Sequence, residues 1–140
     1  MKPTIIAACA TIALAGAALA DRTPAPEDAR VYIIAPEDGA TVANPVTIRF
    51  GLEGMGVAPA GVAAEQTGHH HLLINTPPEE VDMEFALPAT DEIVHFGGGQ
   101  TQTTMDLPAG THELRLLLGD ANHVPHDPPI VSDPITITVE

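Results

Sequence analysis

Apolar and polar residues alternate along most of the chain in short blocks. In Val46-Thr47-Ile48-Arg49-Phe50 the apolar positions Val46, Ile48 and Phe50 fall on one side, the period-2 pattern of a half-buried strand. Thr101 to Leu107 alternates again and puts Thr103, Met105 and Leu107 together. His112 to Leu118 turns Leu114, Leu116 and Leu118 inward. Val31-Tyr32-Ile33-Ile34 and Ile135-Thr136-Ile137-Thr138-Val139 read as the first and last strands. His71-Leu72-Leu73-Ile74-Asn75 is another, closed by Thr76-Pro77-Pro78 because proline cannot donate to a ladder. Pro36-Glu37-Asp38-Gly39 and Pro108-Ala109-Gly110 supply turns between strands. Gly51 to Gly68 reads as a long loop with one helical turn near Ala63-Ala64-Glu65. Glu79 to Thr90 is weakly patterned, with Phe85 and Leu87 as its core contacts.

About seven short strands and almost no helix predict an all-β fold, a single immunoglobulin-like antiparallel β-sandwich. One stretch sharpens this. Asp106 to Leu114 resembles the corner before the sixth strand of immunoglobulin-like domains, where an aromatic sits two residues before a core position and bonds back to the preceding loop. His112 takes the aromatic's place and Leu114 the core place.

The first 20 residues read differently. Lys2 is a short positive region, Ile5 to Leu19 is almost unbroken apolar and small, and Ala18-Leu19-Ala20 has the A-x-A form of a cleavage site. Residues 1–20 are therefore expected to be a signal peptide, removed near Ala20 to leave a periplasmic or secreted protein. Ile6-Ala7-Ala8-Cys9 also resembles a lipoprotein box, but it would leave too short an apolar region for cleavage there. Residues 21–29, rich in proline, alanine and acid, are expected as a disordered leader, and 30–140 as one domain.

Cys9 is the chain's one cysteine and lies in the leader. The expected mature protein thus has no disulfide scaffold, no thiolate metal site, no blue-copper centre and no cysteine nucleophile. The formal net charge is −14, from five basic against 19 acidic residues. Such a surface repels nucleic acid and anionic lipid. No second apolar stretch is long enough to span a membrane.

The candidate chemistry lies in the histidines. Six of seven fall in three runs: Gly68-His69-His70-His71, His95-Phe96-Gly97-Gly98-Gly99, and Asp120 to Asp127 with His123 and His126. With the strands named A to G in order, these runs end the B–C loop, lie in the D–E loop and lie in the F–G loop. An immunoglobulin-like sandwich crowds those three loops at one end. The predicted metal ligands are therefore His69, His71, His95, His123 and His126. Residues i and i+2 share a strand face, so His69 and His71 can grip one ion while His70 points the other way, although the apolar run beyond them leaves the face assignment open. Gly97-Gly98-Gly99 would let backbone pass close to an ion. Asp120, Asn122 and Asp127 are candidates to orient the rings by accepting their N–H groups, and His70 is placed with this supporting set. An imidazole-rich site without thiolate fits copper or zinc. Met55 could add a soft ligand for copper(I), but packs equally well as a loop anchor. Met105 is expected in the core.

The motifs Gly68 to Ile74, His95-Phe96-Gly97-Gly98-Gly99-Gln100-Thr101 and Leu116 to Pro129 together look like the signature of an uncharacterised family of small exported bacterial proteins, catalogued as a domain of unknown function. The resemblance runs from about Ala35 to the C-terminus. It implies a one-domain exported protein and names neither activity nor ligand.

Three functions compete. The first is a periplasmic metal-binding protein that stores, delivers or buffers copper or zinc, with a metal ion and another periplasmic protein as partners. The second is a non-metal binding module that uses the same loops. The third is a dismutase-like metalloenzyme. An acidic surface repels superoxide, which disfavours the last. The chain's one serine, Ser132, lies in no nucleophile-elbow motif.

Overall fold

The computed structural model describes residues 21–140. The expected signal peptide, Cys9 and the cleavage site lie outside the described residues. The fold is all-β apart from one 3₁₀ turn, and it consists of two sheets. The smaller has the order β1 (Arg30–Ala35), β3 (Val46–Glu53), β7 (Gln102–Met105). The larger has the order β2 (Thr41–Val42), β9 (Ile135–Val139), β8 (Gly110–Gly119), β5 (Thr67–Ile74), β4 (Gly56–Val57), with β6 (Ile93–His95) also paired to β5. Strands β1, β3 and β7 thus take the places of A, B and E, and β9, β8 and β5 those of G, F and C, the order of an immunoglobulin-like sandwich.

The main core fills the space between the sheets. Val46, Ile48 and Phe50 enter it from β3, and Leu114, Leu116 and Leu118 from β8, as their alternation requires. Leu72 and Ile74 from β5 and Ile137 and Val139 from β9 complete it. Met55 and Met105 pack against this core.

His112 does what the corner resemblance implies. Its Nε2–H donates to the Pro108 carbonyl at 2.7 Å, and its Nδ1 faces the Asn75 amide nitrogen at 3.0 Å. Both ring nitrogens are thereby used, far from the other histidines. Ser132 is likewise committed to structure: its hydroxyl accepts from the Leu116 N–H and donates to the Asp133 carbonyl, both at 2.8 Å.

Four expectations need correction. The described residues form nine strands, because β2 and β4 are two-residue pairings with no alternation to reveal them. No strand fills the place of D; Pro77, Pro78 and Pro88 leave that stretch short of donors, and it forms a 3₁₀ turn at Pro78–Glu80 and a loop. In its wake Leu87 is buried but Phe85 is 57% exposed. The helical turn near Ala63–Glu65 is absent, and β4 and β5 take up part of that loop instead. Finally, the 21–29 segment is docked rather than loose. Ala25 N–H donates to the Asp127 carbonyl and Asp127 N–H to the Thr23 carbonyl, both at 2.9 Å. Arg22 donates to the carbonyls of Pro125 and His126. Its composition suggested disorder, but the unpaired backbone of the β8–β9 loop offers it a partner.

Candidate metal centre

Strand β5 is buried on both faces. Its inner face, with His70, Leu72 and Ile74, meets the main core. On its outer face Leu73 joins Leu117 and Ile93, and a second apolar cluster forms under Val81 and Leu87 from the 76–92 excursion. His71 and His69 belong to this outer face, one and two residue pairs further along. That second cover is why Gly68-His69-His70-His71-Leu72-Leu73-Ile74 has no polar side to read.

Three elements deliver imidazoles to the outer face. His69 and His71 come from β5. His95 ends β6, where it pairs directly with His71 across the ladder. It therefore reaches the cluster by strand pairing and not through the D–E loop. His123 comes from the β8–β9 loop. The Asp120 carboxylate accepts from the N–H groups of Asn122 (2.8 Å) and Val124 (3.0 Å), and Asp120 N–H donates to the Val124 carbonyl at 2.9 Å. This tight turn holds His123 at φ 65°, a left-handed conformation that costs a non-glycine residue on the order of 1 kcal/mol. The His123 carbonyl accepts from Leu87 N–H at 2.9 Å, which ties the loop to the excursion covering the outer face.

Gly119 makes room. A Cβ there would lie 2.5 Å from Cε1 of His71 and 3.4 Å from the His123 carbonyl carbon, so no larger residue fits without displacing the ring. Gly97 also comes close, with a Cβ position 3.9 Å from Cε1 of His123. Of the glycine triplet it is the member that passes the cluster; Gly98 and Gly99 face Gln100 and Pro59.

The nitrogens converge. Nε2 of His69 lies 2.9 Å and Nε2 of His71 3.4 Å from Nδ1 of His123, and the three ligand atoms are all within 4.8 Å of one another. One proton on Nδ1 of His123 can serve only one of the two Nε2 atoms well. An ion would engage all three. Four-coordinate zinc at 2.0–2.1 Å from each nitrogen sets neighbouring ligand nitrogens about 3.3 Å apart, a value that the two separations to His123, 2.9 and 3.4 Å, bracket.

The His95 ring sits 4.5 Å from that of His71 and 4.7 Å from that of His123, outside the three-nitrogen set. Its Nε2–H donates to the Pro88 carbonyl at 3.0 Å and leaves the lone pair on Nδ1. Ligating imidazoles are commonly held this way.

His126 is not brought to the cluster. It packs against Gly68, where a Cβ would meet its Cε1 at 3.0 Å, and its Nε2 faces the Thr67 carbonyl at 3.3 Å. Gly68 shares the inner face with His70, so His126 stands on the opposite side of β5 from His69 and His71. The supporting set is also used otherwise. Asp120 braces its own turn and accepts from the Thr23 hydroxyl at 2.8 Å; Asn122 is engaged through its backbone; Asp127 lies 3.7 Å from Arg22. None of the three hydrogen-bonds to an imidazole. His70 points into the sandwich, with its ring 5.1 Å from that of Phe50. Nδ1 of both His69 and His71 is buried without a hydrogen-bond partner, so only packing and the Nε2 contacts to His123 orient those rings.

Burial and the crowding of like groups keep the cluster neutral. Burial lowers the pKa of His69 from 6.5 to about 4, with the His123 and His95 rings adding to it and Asp120 opposing. Burial lowers His71 to about 2, reinforced by His69, His95 and His123. His123 is lowered too, chiefly by burial and by His95, against Asp120. At neutral pH these rings present lone pairs with little competition from protons.

No curated protein and no solved structure matches the chain. The family model described as Domain of unknown function (DUF4399) matches residues 48–140, a span that holds all seven histidines and most of both sheets. The chain belongs to that family.

Proposed function

We propose that the protein is an exported, periplasmic metal-binding protein that stores, delivers or buffers copper or zinc. His69, His71 and His123 are its ligands, and His95 stands beside them as a fourth. One observation supports this reading: three imidazole nitrogens from two separate elements lie within 4.8 Å of one another, and the single Nδ1 of His123 faces two Nε2 atoms of which one hydrogen bond serves only one. The donor set is nitrogen only, which suits copper(II) and zinc better than a soft copper(I) site. His95 and His123 are only partly buried, so the ion exchanges from their side.

A second reading has its own support. The 2.9 Å contact of His69 with His123 is a good hydrogen bond, so the cluster could simply brace the β8–β9 loop while the loops bind a non-metal ligand. Calorimetric titration of untagged protein with copper(II) and with zinc(II) near neutral pH separates the two. We expect one equivalent to bind, and chelator to lower the melting temperature of the loaded protein. A flat titration with both metals would refute the metal reading.

A further inference from the structure

The loop that delivers His123 occupies residues 120–134, far longer than an ordinary hairpin connection. His123 sits in it with a left-handed backbone, a conformation that persists in a non-glycine residue only where the surroundings over-determine it. The Asp120 carboxylate supplies part of that constraint from within the turn. Another part comes from residues 22–25, which lie outside both sheets.

Those residues grip the turn on both sides of His123. On the near side, the Thr23 hydroxyl donates to Oδ2 of Asp120 at 2.8 Å. Oδ1 of the same carboxylate accepts from the N–H groups of Asn122 and Val124, the two neighbours of His123. On the far side, Asp127 N–H donates to the Thr23 carbonyl and Ala25 N–H to the Asp127 carbonyl, and Pro24 pairs with Asp127 in a parallel bridge. Between them the Arg22 guanidinium donates to the carbonyls of Pro125 and His126. The Arg22 side chain is only 18% exposed there, whereas Thr23 is exposed. Neither belongs to the apolar core.

We propose that Thr23 and Arg22 are positioning residues of the metal centre, a strap that holds the 120–127 turn so that Nδ1 of His123 meets Nε2 of His69 and His71 before an ion arrives. The proposal rests on the metal reading of the cluster. Neither residue touches the ion. The effect comes from preorganisation: with the strap loosened, the turn samples other backbone states, the competent fraction falls, and apparent affinity falls by the same factor.

The test pairs calorimetric titration of the full exported chain, with copper(II) and with zinc(II), and amide hydrogen exchange of the metal-free protein. Thr23→Val removes the hydroxyl and should weaken binding about threefold; Thr23→Ser keeps it and should bind as the parent does. Arg22→Gln should weaken binding about tenfold. Losing a positive charge by itself favours a cation, so that loss has the opposite sign to a Coulombic effect. In Thr23→Val and Arg22→Gln the amides of Asn122 and Val124 should exchange faster, while that of Leu116 in β8 keeps its protection, which separates a local loosening from general destabilisation. Parental affinity in both variants, unchanged exchange at Asn122 and Val124, or an equal loss in Thr23→Ser and Thr23→Val would each overturn the proposal. A parent that takes up neither metal refutes the metal reading and this proposal with it; a parent that binds while both variants bind equally well refutes the strap alone.

Discussion

Along β5, Gly68, His70, Leu72 and Ile74 face the three-stranded sheet, whereas His69, His71 and Leu73 face away from it. Both faces are buried, yet they are built differently. The inner face is mostly apolar contact: Leu72 and Ile74 lie among Leu114, Leu116, Ile48 and Phe50. The outer face begins as a small apolar cluster around Leu73 and turns polar within one residue pair, where four imidazoles crowd together. Burial that stabilises Leu72 penalises a charged His71. The same strand therefore supplies stability from one side and neutral, buried lone pairs from the other.

The largest expected difference comes from truncating adjacent residues on opposite faces. Leu72→Ala removes a fully buried side chain from the main core and should cost roughly 2–5 kcal/mol of stability, while metal affinity in the folded fraction stays close to that of the parent. His71→Ala should do the reverse. It removes a ligand and relieves like-group crowding, so affinity should fall by more than about the hundredfold that losing a mere supporting residue costs. Denaturant unfolding and metal titration on both variants check this. If Leu72→Ala loses metal affinity as badly as His71→Ala, the two faces are not separable.

The next effect concerns protons. His69, His70 and His71 have folded pKa values of about 4, about 4 and about 2, all below the 6.5 of an unfolded histidine. Between pH 6.5 and 4 the unfolded chain therefore binds more protons than the folded one, and stability rises with pH across that window. Acidification should lower the melting temperature of the metal-free protein from just below pH 6.5, before most carboxylates titrate. Each unit of depression corresponds to about 1.4 kcal/mol between the two protonation states. Replacing His70 with Leu should flatten part of this slope from the inner face without touching metal uptake. A melting temperature that is level from pH 7 to pH 4 would contradict the buried, neutral state on both faces.

The strands that form the core were legible where one side is apolar: Val46, Ile48 and Phe50 keep strict alternation, and Leu114, Leu116 and Leu118 keep the period although Leu117 between them is buried on the outer face. Alternation also puts His69 and His71 together and His70 apart, and the apolar run that followed left open which side was the core. The ambiguity had a physical cause, since a strand covered on both faces carries no polar stripe. What lay beyond reach was how the excursion after β5 behaves. Without a strand in the place of D, residues 93–95 pair with β5 itself, and His95 meets His71 across a ladder. The role of Asp120 was hidden too. A carboxylate two to four residues from free N–H groups closes its own turn before it reaches a ring.

The smallest expected effect is the sharpest on site membership. Loop proximity alone makes His123 and His126 equivalent, because they are three residues apart in one loop and either could reach the end of β5. Strand parity separates them. His126 closes on Gly68, two residues from His70 on the inner face, and its Nε2 is occupied by the Thr67 carbonyl. His123, turned by its left-handed backbone, closes on His69 and His71. His126→Gln keeps a donor for Thr67 and most of the side-chain volume, so it should leave metal affinity within about twofold and cost at most about 1 kcal/mol of stability. His123→Gln in the same loop should lose most of the affinity. A calorimetric titration in which His126→Gln is the more damaging of the two would move the centre to the inner face, bring His70 into it, and undo the division of labour between the two sides of β5.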